Sequence, residues 1–169
     1  MEIGLSLGSN LGDRLAHLQA ARAAVRQLPG VTLVAQAPVY ETEPVGVEPE
    51  FAHLKFLNTV LILSSDRPAA DLQRALAEAE LQLGRVRGED RFAPRAIDID
   101  VLFAGDLWLE TDRLTLPHPR WARRRFVVQP LADVRPDLVL PGAGRTVRAV
   151  LDALPPGEDI AIFAAADRW

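Results

Sequence analysis

Two aspartates separated by a single residue are the feature of this sequence that points most directly to chemistry. They are Asp98 and Asp100. On a β-strand, residues i and i+2 point to the same face, about 6.6–7 Å apart along the chain. Two carboxylates in that arrangement are hard oxygen ligands of the kind that Mg²⁺ prefers, with water and substrate phosphates completing the shell. The spacing therefore predicts a magnesium site, and a second ion sharing the pair would give the two-metal clamp used in phosphoryl chemistry.

The residues around this pair alternate between apolar and polar, which predicts a strand over residues 97–103. Two acids on an exposed strand face are the alternative interpretation of the pair. A strand anchored in a core is a poor place for two acids without a cation, which favours the metal interpretation. The predicted apolar face carries Ile97, Ile99, Val101 and Phe103, and the other face carries Asp98, Asp100 and Leu102.

Arginines flank the acidic pair on both sides. Of the 19 basic residues, only Lys55 is a lysine, and its surroundings do not form a P-loop. Guanidinium groups bind phosphate oxygens with paired donors and keep their charge. A charged run alone is more often a solvated surface, but metals on one side and guanidiniums on the other suit a triphosphate. The arginines are Arg85, Arg87, Arg91 and Arg95 before the pair, and Arg113, Arg120, Arg123, Arg124 and Arg125 after it.

Three single polar residues have both a functional and a structural interpretation. Asn58 interrupts an apolar strand, where its amide would bind either a ligand or the neighbouring backbone. His118 lies between two prolines and could contact a phosphate or a base, although a lone histidine is more often structural. Ser9 lies in a Gly-Ser-Asn turn that is expected to cap the next helix rather than to supply a nucleophile.

Composition limits the class of protein. The chain has 169 residues, of which 49% are apolar and 25% are charged, and a formal charge of −4. These values predict one globular domain over residues 1–169 and argue against a binder of bulk polyanions. Because cysteine is absent, disulfides, cysteine metal clusters and thiol nucleophiles are excluded. No secretory signal or membrane-length apolar run is present in the sequence, so a cytoplasmic protein is expected.

Periodicity and turn residues predict an α+β sandwich rather than a doubly wound parallel sheet. Residues 85–94 are charged and poor in apolar residues, which predicts a mobile loop that closes over the nucleotide. The predicted strands are residues 2–7, 31–36 with an extension to 39–40, 57–63, 97–103 and 160–164. The predicted helices follow residue 13 and residue 68, and two short ones cover residues 126–131 and 147–154.

Several motifs in a fixed order resemble one enzyme family. Residues 91–102, Arg-Phe-Ala-Pro-Arg-Ala-Ile-Asp-Ile-Asp-Val-Leu, resemble the signature of the 6-hydroxymethyl-7,8-dihydropterin pyrophosphokinases of folate biosynthesis. The resemblance extends over residues 3–131, and an ordered series of motifs is more specific than any one of them. The further matching segments are residues 7–12, 40–46, 56–58, 80–87 and 113–119.

This resemblance implies a ferredoxin-like α/β/α sandwich around a mixed, mainly antiparallel sheet. It also implies transfer of pyrophosphate from ATP to the pterin hydroxymethyl group, with release of AMP. By motif, Asp98 and Asp100 would hold two Mg²⁺ ions, and Arg85 and Arg95 would stabilise charge on the transferred group. The implied ATP-binding residues are Glu80, Arg87, His118 and Arg124. The implied pterin-binding residues are Thr42, Pro44, Val45, Phe56, Asn58, Phe92 and Phe126.

Two other functions remain open from the residues alone. One is a metal-dependent phosphodiesterase or nucleotidyltransferase that uses the same aspartates. The other is a ferredoxin-like regulatory or RNA-binding module without catalysis, which the acidic strand pair disfavours because carboxylates repel phosphate. We expect small-molecule substrates, and no nucleic acid, membrane or obligate protein partner.

Overall fold

The fold was taken from a computed structural model of the chain, which describes residues 1–44, 49–84, 94–156 and 159–169. Its helices and strands follow the predicted order. In chain order they are β1 (Glu2–Ser9), α1 (Arg14–Gln27), β2 (Val31–Gln36), β3 (Val39–Thr42), β4 (Phe56–Ser65), α2 (Ala69–Gln82), β5 (Asp98–Ala104), β6 (Leu109–Glu110), β7 (Thr115–Leu116), α3 (Arg125–Val134), α4 (Val147–Asp152) and β8 (Ile160–Ala164).

The main sheet is antiparallel at every strand pairing within the described residues. Its order is β5-β1-β4-β3-β8, with β2 also paired to β4. Strand β1 is therefore central, between β4 and β5, and eight of its residues are in register with β4. The α+β class predicted from the sequence is confirmed.

Helices cover both faces of this sheet. Helices α1 and α2 pack on one face, in a core that includes Leu18, Val25 and Leu72. Helices α3 and α4 pack on the other face, in a core that includes Val128 and Val147. The strands are rich in β-branched and leucine residues on both faces because each face is buried by a helical layer.

Helix α1 begins at a cap supplied by the last residue of the turn predicted before it. The Asp13 carboxylate accepts a hydrogen bond of 3.0 Å from the backbone N–H of Ala16. Ser9 is instead the fully buried last residue of β1. The turn predicted over residues 8–13 thus caps the helix through its last residue, Asp13. Ser9 takes no part in the cap, because β1 runs two residues further than its apolar pattern indicated.

Strand β5 contains an irregularity that corrects the predicted faces. The β1–β5 register shifts so that Gly4 pairs with Phe103 whereas Leu5 pairs with Val101. One extra residue in a strand reverses the alternation beyond it. Consequently Phe103 packs with Leu102 on the α3 face, and not with Ile99 as predicted. The two aspartates precede the irregularity, so their shared face is as predicted.

None of the helices in the described ranges is long and apolar enough to cross a membrane.

Candidate active site

Asp98, Asp100 and Asn58, three of the predicted site residues, lie on the α3 face of the sheet, near the ends of neighbouring strands. Asp98 pairs in register with Gly8, and Gly8 pairs with Asn58. Directly paired residues of neighbouring strands point to the same face. With a strand spacing of about 4.7–4.9 Å, Asp98 and Asn58 lie on the order of 10 Å apart across the sheet. Gly8 has no side chain, so the row is open between them.

Asp98 and Asp100 are both half-buried on this face, opposite Gly8 and Ser6. Asp98 accepts a hydrogen bond of 3.0 Å from Nη1 of Arg95. Within residues 1–44, 49–84, 94–156 and 159–169, no group of three His, Asp or Glu side chains is placed to hold a metal ion. Two carboxylates that leave the other positions to water and phosphate oxygens nevertheless fit Mg²⁺, which binds through few protein ligands.

Glu80 reaches β5 from helix α2 on the opposite face. It is buried, and its Oε1 accepts a hydrogen bond of 2.7 Å from the backbone N–H of Ile99, between the two aspartates. Strand β5 is at the edge of the described sheet, so a backbone N–H on its side away from β1 can be bound by a side chain from α2. Glu80 therefore fixes the strand that carries Asp98 and Asp100, and the predicted role in ATP binding would be additional.

Asn58 and Thr42 form a buried polar pair at the other end of the row. Nδ2 of Asn58 donates a hydrogen bond of 2.8 Å to Oγ1 of Thr42. In the described part of the chain the amide bonds to the side chain of Thr42, whereas the structural alternative expected bonds to neighbouring backbone. A Cβ atom at Gly8 would lie 3.0 Å from Oδ1 of Asn58, so the amide oxygen leans over Gly8. Phe56, half-buried, pairs with Thr42 beside it.

His118 and Arg124 lie beside the acidic pair. The backbone N–H of His118 donates to the carbonyl of Leu102 on β5, at 2.8 Å. Burial, with the charges of Arg124 and Arg120, lowers the pKa of His118 to about 4. Nδ1 accepts a hydrogen bond of 3.2 Å from the backbone N–H of Arg120. His118 is therefore neutral near pH 7, with its hydrogen on Nε2, where it can donate to a phosphate oxygen.

Arg124 interacts electrostatically with both aspartates of the site. Its pKa is lowered by burial and by Arg120, and both Asp100 and Asp98 oppose that shift. A guanidinium stays protonated after such a shift, so Arg124 remains a cation. Its interactions with the two aspartates place this cation in the same electrostatic environment as the predicted metal ligands.

The pKa of His118 leads to a prediction about stability. Between pH 6.5, its ordinary pKa, and about 4, the unfolded state binds more protons than the folded state. The free energy of unfolding should therefore fall as the pH drops through this window. His118→Gln should remove that component, as measured by urea unfolding at several pH values. His53→Gln, at an exposed position, is the control. Equal pH slopes in wild type and His118→Gln would contradict the prediction.

The remaining predicted residues divide into those that are described and those that are not. Phe126 is half-buried against the α3-side core, with the Arg124 guanidinium 5.4 Å from the centre of its ring. Pro44 is half-buried just after β3. The residues outside the described ranges are Val45, Arg85, Arg87, Arg91 and Phe92, as is most of the predicted loop over residues 85–94.

Asn10 touches the site but was not among the residues predicted from the sequence. Asn10 is 3% exposed. Oδ1 of Asn10 accepts a hydrogen bond of 2.8 Å from the backbone N–H of Arg95. The backbone N–H of Asn10 donates one of 3.2 Å to the carbonyl of Arg95. The signal was present in the Gly-Ser-Asn turn, where an Asn directly after a strand can bond to distant backbone as well as to its own helix.

Comparison with known proteins identifies the family. Residues 4–136 match the family model described as 7,8-dihydro-6-hydroxymethylpterin-pyrophosphokinase. A 2-amino-4-hydroxy-6-hydroxymethyldihydropteridine pyrophosphokinase of Pseudomonas aeruginosa is 40% identical over 151 residues, which are 89% of this chain and 90% of that protein. The enzyme of the same name from Bacillus subtilis is 38% identical over 130 residues, 77% of this chain and 75% of that protein.

Solved structures share the fold. A crystal structure of Plasmodium falciparum HPPK-DHPS superposes with a TM-score of 0.67 at 14% identity, over 89% of this chain and 42% of that one. This chain thus spans less than half of that longer protein. The family match, the two relatives and the order of the motifs agree. The chain therefore belongs to the 7,8-dihydro-6-hydroxymethylpterin-pyrophosphokinase family, and it uses ATP to pyrophosphorylate hydroxymethyldihydropterin in folate synthesis.

Proposed function

We propose that ATP and the pterin bind at opposite ends of the row formed by Asp98, Gly8 and Asn58. The observation that carries this proposal is the register that puts an acidic pair and a buried amide on one face with a glycine between them. The triphosphate would lie over the aspartates, and the pterin over Asn58. The open position at Gly8 would let the hydroxymethyl group and the phosphates meet.

In the proposed reaction, the hydroxymethyl oxygen forms a bond to the β-phosphorus of ATP. The bond from that phosphorus to the oxygen bridging the α- and β-phosphates breaks, AMP leaves with that oxygen and its electron pair, and the hydroxyl proton is released to water. Arg95, with Arg85 from outside the described ranges, would stabilise charge on the transferred group. Two Mg²⁺ ions, held by Asp98 and Asp100, would supply charge neutralisation and orientation of the triphosphate when bound.

The nucleotide would be held by groups around the acidic pair. Neutral His118 would donate from Nε2 to a phosphate oxygen, and Arg124 would pair with phosphate through its guanidinium. Arg87 and Glu80 complete the proposed ATP-binding set. Phosphoryl transfer depends mainly on positioning and electrostatic stabilisation, so cations and fixed donors suffice.

The pterin would be recognised by its edge and its two faces. A flat polar heterocycle needs a few placed hydrogen-bonding groups and apolar surfaces. Asn58 and Thr42 would bind its edge, while Phe126 and Phe92 would cover its two faces. The rest of the proposed pocket comprises Pro44, Val45 and Phe56.

We further propose that the fold is ferredoxin-like and that residues 1–169 form one domain. The first strands and helices follow the order β-α-β-β-β-α-β, in which β2 and β3 pair with successive stretches of β4. If β2 and β3 are taken as one interrupted strand, this order and the sheet order β5-β1-β4-β3 support the first proposal. Pairing of the late strand β8 with β3, together with Trp169 in the α1-side core, supports the second.

Product analysis and calorimetry test the proposed site. With ATP and the pterin, we expect AMP and pyrophosphorylated pterin in equal amounts. ADP as the nucleotide product would contradict attack at the β-phosphorus, and AMP with free pyrophosphate would favour the hydrolase alternative. Binding of a non-hydrolysable ATP analogue should require Mg²⁺. Equal affinity with and without Mg²⁺ would contradict the metal assignment.

A further inference from the structure

We infer that Asn10 is a positioning residue for Arg95, because it holds residue 95 in the one register that turns its guanidinium towards Asp98. This inference rests on the proposed role of Arg95 in catalysis. It concerns the turn over residues 9–12, which resembles the family motif but has no part in the function derived so far.

The attachment has two points. The backbone N–H of Arg95 donates to Oδ1 of Asn10, and the carbonyl of Arg95 accepts from the backbone N–H of Asn10, at 2.8 and 3.2 Å. A single hydrogen bond leaves a peptide free to rotate about it. Two bonds to the N–H and carbonyl of one residue fix the plane of its backbone and thus the direction of its Cα–Cβ bond.

The register of this attachment decides where Arg95 points. Gly8 pairs with Asp98 in the β1–β5 ladder. Continued regularly, that ladder would bring Ala96 opposite Asn10. Asn10 instead binds Arg95, one residue out of register. A shift of one residue moves a side chain to the other face of a sheet. Arg95 precedes β5, and the shift reverses the alternation beyond the strand. This agrees with the contact of Arg95 with Asp98, whereas the alternation of a regular ladder would turn Arg95 to the other face.

The side-chain contacts agree with this account. Nη1 of Arg95 donates to Oδ2 of Asp98 at 3.0 Å. Asn10 is 3% exposed, and its buried Nδ2 has no hydrogen-bond partner among the residues that the structure describes. A buried amide N–H₂ without a partner costs free energy of folding. If Asn10 served stability alone, a residue without this N–H₂ group would therefore serve better. Oδ1 is the atom of the Asn10 side chain that binds the Arg95 backbone.

The test is a double-mutant cycle. Asn10→Ala removes the Oδ1 acceptor and should lower kcat by about 100-fold, the order of effect expected when a catalytic group is misplaced by about 1 Å. The KM for the pterin should stay near its wild-type value, because Arg95 precedes β5 and Asn58 lies on β4, two strands from β5. In an Arg95→Ala background, Asn10→Ala should have no further effect on kcat.

Two further variants separate positioning from stability. Asn10→Asp keeps an oxygen acceptor for the Arg95 N–H and should retain most of the wild-type kcat. Asp13→Ala removes the cap of α1 in the same turn without touching Arg95, so it should lower the melting temperature and leave kcat unchanged. If Asn10→Ala does not fold, the Asn10→Asp result still decides, because a loss of kcat as large as that of Arg95→Ala would overturn the inference.

The outcomes for Asn10 and for the proposed function are distinguishable. An Arg95→Ala enzyme with normal kcat would remove Arg95 from the mechanism and the inference with it. A slow Arg95→Ala enzyme combined with a normal Asn10→Ala enzyme would overturn the inference alone. Additive losses in the double mutant would do the same, because Asn10 would then act through another group. Amide exchange at Arg95 should accelerate in Asn10→Ala, and unchanged exchange would contradict the two-point attachment.

Discussion

Asp98→Ala and Asp100→Ala are each expected to lower kcat by about 10³-fold at ordinary Mg²⁺ concentration, with the fold retained. Loss of one preorganised charge-stabilising group costs about 10²–10³-fold in enzymes, and these carboxylates are the proposed metal ligands. Both side chains are half-buried and precede the irregularity in β5. Glu80 still fixes the strand between them through Ile99, so far-ultraviolet circular dichroism should be unchanged.

The controls separate the metal role of Asp98 from its contact with Arg95. Asp98→Asn keeps an oxygen that can accept from Nη1 of Arg95 but removes the charge. It should be nearly as inactive as Asp98→Ala, because an amide is a weak ligand for Mg²⁺. Asp106→Ala makes the same change of charge in the exposed turn after β5 and should be fully active. Near-normal turnover of either alanine variant of the pair would overturn the metal assignment.

Asn58→Ala is expected to raise the Kd of the pterin by about 10–100-fold and to leave binding of the ATP analogue unchanged. The amide is 5% exposed, and a buried polar group that loses its partner costs about 1–3 kcal/mol. In the proposed complex, the variant would leave a polar edge of the pterin unpaired. Calorimetric titration with each ligand separately measures the two constants.

Two threonines near Asn58 supply a matched control, Thr59, and a second test of the same polar pair, Thr42. Thr59, next along β4, donates its buried hydroxyl to the carbonyls of Ala37 and Pro38. Thr59→Val should therefore lower the melting temperature and leave both ligands unaffected. Thr42→Val removes the hydrogen-bond partner of Asn58 and should weaken the pterin alone. Equal losses for pterin and ATP analogue in Asn58→Ala would indicate a structural role.

The local pattern of apolar and turn residues predicts much of the fold. Strands β2 and β8 match the predicted bounds, and helices form at the four predicted places. Periodicity of apolar residues predicts these elements because it reports which face of a segment is buried. The same pattern was wrong at Phe103, because the irregularity in β5 depends on how Gly4 meets Phe103 in the neighbouring strand.

Residue types by themselves favour one class of chemistry. An Asp pair at strand spacing, arginines without a P-loop lysine, and no cysteine lead to metal-assisted phosphoryl transfer. These conclusions depend on what carboxylates and guanidiniums bind, and on a spacing of two residues that any strand converts into one face. They required no knowledge of distant contacts.

Tertiary structure alone decided which groups meet. Asn10 and Arg95 are separated by 85 residues, and Asn58 and Thr42 by 16. The low pKa of His118 likewise arises from burial and from arginines brought near it. A residue's spacing along the chain sets only its own face and element. Its partners depend on the register between strands, where a shift of one residue turns a side chain to the opposite side, and on the packing of helices over the sheet.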